Sequence, residues 1–134
     1  SADMFECRLD GSYYTIVGLT EEGRKKEDLI IPYQVNGIYV KAFLPLVFFD
    51  DKNIRSVTVQ ENIGTLPNGS FVGCDNLKKI VLRHSEPTEI SVGYELLAGV
   101  PQDCKICVPS GALGRFENNY FWGRYAKQLQ GYEK

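Results

Sequence analysis

NIRSVTVQENIGTLPNGSFVGCDNLKKIVL, residues 53–82, carries one pattern twice. Asn53, Ile54, Val57 and Val59 return as Asn76, Leu77, Ile80 and Leu82, each 23 residues later. The register extends backward, since Phe48 precedes Phe71 by 23 residues and Asp51 precedes Cys74 by 23. In each copy two apolar residues flank an outward one, which is the alternation of a short strand with one buried face. A turn follows, then a second apolar segment carrying Phe48 or Phe71. One such unit cannot bury its own apolar face. Stacked units make a continuous core with a parallel sheet along one side.

A third copy follows with an insertion. Ile106 and Val108 match Ile80 and Leu82 at an offset of 26, with the extra residues in SEPTEIS, 85–91. Leu97-Ala98-Gly99-Val100 then falls under Phe71-Val72-Gly73-Cys74. An earlier, looser copy is Leu29-Ile30-Ile31-Pro32, with a longer connection from Tyr33 to Tyr39. The ends differ. Asp10-Gly11 between alternating segments predicts a hairpin, with Phe5, Cys7 and Leu9 on one face. After Ser110, Phe116, Tyr120, Tyr125 and Leu129 recur at helical spacing around Trp122, and Gly123 divides the run into two helical pieces. These aromatics are expected to cover the last coil. The chain therefore reads as an α/β repeat solenoid in one domain, 1–134. It has an N-terminal hairpin cap (1–28), repeats (29–109) and a C-terminal helical cap (110–134).

Register also indexes the outward face of the sheet. Ser56, Lys79 and Lys105 align, as do Thr58, Val81 and Cys107 with Ile30, and then Gln60 and Arg83. Such residues form ladders across strands about 4.8 Å apart. With Arg55 and Lys78 in the preceding turn, they trace a mild basic stripe. Ser56, Thr58, Lys79, Val81, Arg83, Lys105 and Cys107 are the candidate binding residues, suited to an acidic protein or glycan. The bland alternative is a solvated strand face whose charges keep it soluble.

Cys104-Lys105-Ile106-Cys107 is a C-x-x-C, a spacing that also serves dithiol and zinc chemistry. The register puts it in an extended strand instead. Its Cα atoms would lie about 10 Å apart, beyond the roughly 7 Å reach of a disulfide. Cys107 is expected to point outward as an exposed thiol, and Cys104 to occupy the turn position of Arg55 and Lys78. Cys74 is expected to be buried as a small hydrophobe.

The remaining features argue mostly by exclusion. With 134 residues, 43% hydrophobic and 24% charged, the chain suits one globular core. Its net charge of −2 offers no field to draw nucleic acid or an anionic membrane. The longest apolar run, near Phe43 to Phe49, is interrupted by Pro45 and is too short for a membrane span. No signal peptide is visible in SADMFECRLD. The single histidine, His84, follows Arg83 at a strand end and is expected on the surface. No nucleophile motif surrounds it. Asn68-Gly69-Ser70 and the glycines from Gly111 to Gly114 are turns rather than phosphate cradles. No metal or cofactor is expected. The competing reading is a small enzyme, or a thiol or metal protein, built on His84 or on Cys104 and Cys107.

Taken together, the residues resemble the BspA-like leucine-rich repeats. Ser70-Phe71-Val72-Gly73-Cys74-Asp75-Asn76-Leu77 stands on that family's "Ala-Phe-x-Gly-Cys" segment. Leu29 to Pro32 with Val35-Asn36-Gly37-Ile38-Tyr39-Val40 resembles its opening, and Ile106 to Gly111 followed by Phe116, Trp122 and Tyr125 its ending. The likeness spans roughly residues 13 to 129. Two copies depart from it: Phe48-Phe49-Asp50-Asp51 lacks the Gly-Cys pair, and Leu97 to Val100 lacks both Phe and Cys. The resemblance implies a secreted or surface-displayed bacterial protein, often host-associated, that binds or adheres rather than catalyses. Its partner would be a protein or glycan contacted by the exposed sheet. It brings no catalytic residues with it.

Overall fold

In the computed structural model, which describes residues 2–133, the sequence period becomes a stack of coils. The strands are β1 (Phe5–Asp10), β2 (Tyr13–Leu19), β3 (Asp28–Ile30), β4 (Gln34–Val35), β5 (Ile38–Phe43), β6 (Ser56–Val59), β7 (Thr65–Leu66), β8 (Lys79–Leu82), β9 (Ser91–Val92), β10 (Lys105–Pro109) and β11 (Leu129–Tyr132). Helix α1 (Glu21–Arg24) follows β2, and α2 (Leu113–Glu117) precedes β11.

The central sheet is parallel, in the order β11-β10-β8-β6-β3. Its pairing follows the repeat residue by residue: Leu29 opposite Val57, Val57 opposite Ile80, Ile80 opposite Ile106. These four form one inward column, and Val59, Leu82 and Val108 form a second; all are buried. Each such side chain contributes about 1.5–3 kcal/mol by leaving water. On the opposite flank β7 and β9 form a short parallel pair, with Thr65 opposite Ser91 and Leu66 opposite Val92. The offset there is already 26, so the extra residues lie before Ser91, where the sequence places them. A 3-10 turn, Pro87–Glu89, takes them up. The Glu89 carboxylate accepts the Ser85 and Glu86 N–H groups and holds the insertion folded.

Repeated residues make repeated contacts. Asn53 Nδ2 donates to Arg24 O (2.8 Å) and Asn76 Nδ2 to Lys52 O (2.7 Å), each tying its coil to the preceding one. The Phe48 and Phe71 rings stack with centroids 5.7 Å apart. Asp50, Gly73 and Gly99 share a left-handed backbone, with φ of +59°, +81° and +79°. A Cβ on Gly73 would meet the Asp50 Cα at 2.9 Å, so the inner coil needs glycine. This turn is the counterpart of the "missing" Gly in the Phe48 copy. There Asp50 adopts the same conformation at the exposed start of the column.

The N-terminal sheet runs β1-β2-β5-β4. The expected hairpin is present, with Asp10 opposite Tyr13. An irregularity beside Glu6 and Cys7 places its extra residue, Val17, on β2; along β1 burial falls from Phe5, which is buried, through Cys7, packed against the core, to Leu9, which is exposed near the turn. The connection from Tyr33 to Tyr39 is itself a hairpin. Asn36 and Gly37, both at positive φ, close it as a type I′ turn requires.

The C-terminal cap differs from the sequence expectation in three ways, the first being that Tyr120 stands exposed instead of covering the last coil. The helical run breaks at Asn118–Phe121 rather than at Gly123, which sits inside a 3-10 turn, Trp122–Tyr125. The cause is Asn119, whose Oδ1 accepts the Phe121 and Trp122 N–H groups and starts the second turn. Leu129 is not helical; with Gln130, Gly131 and Tyr132 it forms β11, paired in parallel to β10. The last coil is thus sealed by a strand as well as by Phe116 and Trp122, both buried.

Candidate functional site

The outward face of the central sheet brings the candidate residues together in the predicted rows. Asp28, Ser56, Lys79 and Lys105 form the first, and Ile30, Thr58, Val81 and Cys107 the second. β11 adds Gln130 beside Cys107. Lys79 and Lys105 are exposed; Ser56, Thr58, Val81 and Arg83 are half-buried. At the free edge the Ser56 hydroxyl donates to the Asp28 carboxylate. The first row is therefore graded, acidic at β3 and basic at β8 and β10, and the row beside it carries the apolar Ile30 and Val81 on either side of Thr58.

Cys107 is a correction. It is only 7% exposed rather than a free surface thiol. Tyr132, on the outward side of β11, reaches across β10 and donates its hydroxyl to Leu82 O (3.0 Å), covering this end of the sheet. The Arg83 guanidinium lies 5.9 Å from the same ring. Burial pushes the Cys107 thiol up, and the ammonium groups of Lys79 and Lys105 oppose that shift only in part. Burial likewise raises the Tyr132 phenol.

Cys104 is a second correction. It is fully buried, in the slot of Ile54 and Leu77 rather than the turn position of Arg55 and Lys78. Cys104 N–H donates to Pro101 O as Leu77 N–H donates to Cys74 O, while Lys105 pairs with Lys79, so the third coil has one residue fewer between turn and strand and Cys104 is drawn inside. Desolvation raises its thiol to about 12. Cys74, buried as expected with its thiol donating to Phe48 O, rises to about 11 for the same reason. The four thiols are free, and thiols raised in this way are poor nucleophiles near neutrality.

His84 is a third correction. It has no exposed surface, and its Nε2 lies 2.7 Å from Ile63 O of the preceding coil. Parity explains this, because Ile80, Leu82 and His84 continue one inward alternation past the strand end. His84 is a stitch between coils, with no surface from which to meet a substrate. Glu86 and Glu89 are taken up by Arg115 (2.6 Å) and by the insertion turn.

The basic stripe contracts. Arg55 pairs with Glu27 (3.6 Å) and Lys78 with Asp103 (3.7 Å), so the pre-strand turn is charge-balanced. Lys52 bridges Asp50 and Asp75, and their carboxylates raise its ammonium to about 12. Lys79 and Lys105 remain as directly opposed like charges, an arrangement that by itself destabilises a sheet. Among the described residues neither forms an ion pair. The sequence reading missed Gln130 and Tyr132; the one available signal was the apolar–polar–small–aromatic run Leu129 to Tyr132.

No family model matches the chain, and no curated protein sequence does. Solved structures resemble it, among them two leucine-rich repeat proteins. One is a leucine-rich repeat protein of T. pallidum, 17% identical, with a TM-score of 0.53 over 84% of this chain and 64% of that one. The other is a leucine-rich cell surface protein from Faecalibacterium prausnitzii, 17% identical, with a TM-score of 0.55 over 83% of this chain and 38% of that one. The chain spans less than two thirds of either neighbour. At this identity the likeness is one of fold, and it agrees with the register of the strands: the chain has a leucine-rich repeat fold.

Proposed function

We propose that the chain is a non-catalytic binding module of a secreted or cell-surface protein, close to the BspA-like type. Its outward sheet contacts an anionic partner, an acidic protein or an acidic glycan. The observation that carries this reading is the pairing of Lys79 with Lys105 on the open face. Two like charges kept side by side without carboxylates cost stability, and an anionic partner offsets that cost. The row of Ile30, Thr58 and Val81 beside them, apolar on either side of the threonine, supplies area that can be desolvated. The cell-surface description of one fold neighbour points the same way.

The test is a binding screen of the pure chain against acidic extracellular proteins and sulfated or carboxylated glycans. Hits should weaken at least about tenfold in the double variant Lys79→Glu with Lys105→Glu, and should weaken with added salt. A hit indifferent to both would remove the sheet face as the site.

A further inference from the structure

A second site lies on the opposite flank of the last coil, away from the sheet face. There the stack is sealed unevenly. β11 covers the outer edge of β10, whereas among the described residues no strand covers the outer edge of β9. Between this flank and the cap runs a cleft in two compartments, of about 1170 Å³ and 390 Å³, which share Val92 and Phe121 as lining residues.

The edge of β9 faces this cleft with unused backbone directions. Ser91 N–H donates to Gly64 O (2.9 Å) and Gly93 N–H to Leu66 O (2.8 Å), so these amides point at β7. Backbone groups alternate sides along a strand, which turns the Val92 N–H and C=O away from β7 and toward the cleft. The far wall is apolar and aromatic. Leu97 and Val100 face Phe121 and Tyr125 across it, all half-buried. The Arg124 guanidinium lies 4.8 Å from the Phe121 ring centroid and 5.9 Å from that of Tyr125. It contacts these two rings and donates to Phe121 O, and among the described residues it forms no ion pair. With Lys127 it outweighs Glu95, so the wall is locally basic in a chain of net charge −2. Tyr94 and Tyr120, 83% and 90% exposed, stand out along the flank. Tyrosine and arginine around a half-buried apolar centre are the composition of an interface hot spot.

We infer that this cleft takes an extended peptide segment that adds a third strand to β7 and β9. The Val92 N–H and C=O provide the main-chain pairing. A large apolar side chain of the peptide enters between Leu97, Val100, Phe121 and Tyr125. A neighbouring carboxylate meets Arg124. This is strand addition, in which backbone bonds supply affinity and alternate side chains supply selectivity.

The probe is a library of random linear dodecapeptides displayed on phage, panned against the immobilised intact chain. Enriched sequences are remade as fluorescent peptides and measured by polarisation. They should share a large apolar residue flanked by an acidic one. Affinity should fall at least about tenfold in Val92→Pro, which removes the cleft-facing N–H but neither of the amides that donate toward β7, and in Arg124→Glu. The Lys79→Glu, Lys105→Glu variant should bind normally, which separates this site from the sheet face. No enrichment over the bare support, or peptides whose affinity survives both cleft substitutions, overturns the inference. Should Val92→Pro fail to fold by circular dichroism, hydrogen exchange of the wild-type Val92 amide decides. Slowing on peptide addition supports the site, and an unchanged rate overturns it.

Discussion

Phe71 and Trp122 are both buried aromatics, yet they are held in opposite ways. Phe71 stacks on Phe48, the same residue type one coil earlier, and its neighbours recur with the period of the chain. Trp122 meets Phe116 and Phe121 edge-on, contacts that occur once and repeat nowhere. The middle of the molecule is built by translation and its end by a particular fit. In a stack, each coil's stability rests on its neighbours, so a fault in the centre uncouples both sides, whereas a fault at the end exposes one face.

Truncation of the stacked ring should produce the largest effect. Phe71→Ala is expected to cost about 3–5 kcal/mol, the range for deleting a buried aromatic, read as a fall in the urea midpoint with the slope unchanged. Should the loss in Trp122→Ala equal it with one cooperative transition, the cap folds as part of the array. A separate early transition in that variant would instead make the end an independent unit.

This same contrast decides how much was legible beforehand. Val57, Val59, Ile80, Leu82, Ile106 and Val108 announce their strands because a parallel sheet of stacked coils demands one residue type at one register. The rows Ser56–Lys79–Lys105 and Thr58–Val81–Cys107 follow from that register alone. The burial of Cys107 was not legible, because it depends on Tyr132, which crosses from β11 to a carbonyl 50 residues earlier in the chain. His84 was legible in principle, since the inward alternation of Ile80 and Leu82 reaches it. Cys104 was not: a turn shortened by one residue leaves no mark on composition. The cleft beside β9 belongs to the same class, as it arises from what the cap fails to cover.

A smaller effect separates regular from irregular coils through their thiols. Cys74 occupies the regular coil and Cys104 the shortened one, and burial raises both above the ordinary thiol value, to about 11 and about 12. In the unfolded chain these thiols ionise near pH 9, while in the folded chain they stay protonated. Their contribution is therefore whole below pH 9 and is lost as pH rises toward 11 and 12. Urea midpoints measured from pH 8 to 11 should fall, and the fall should be shallower in Cys104→Ala than in the wild type. An alkaline profile unchanged by that substitution would show that Cys104 remains hydrated in the fold.

The smallest effect concerns one long-range tie of the cap to the sheet, the bond that spans 50 residues of chain. Tyr132→Phe keeps the ring over β10 but removes the hydroxyl that donates to Leu82 O. The loss of one partly buried hydrogen bond should cost about 1 kcal/mol, close to the limit of a urea titration. Cys107 makes it visible. While Tyr132 holds β11 closed, Cys107 reacts with a thiol reagent only when this end opens, and its rate tracks the open population. Weakening the closed state by about 1 kcal/mol should raise that rate about fivefold, assigned to Cys107 by peptide mass. Cys74, in the stacked centre, should keep its own slow rate. Equal acceleration at both cysteines would mean that the hydroxyl stabilises the whole stack, and the division between a translated middle and a fitted end would have to be given up.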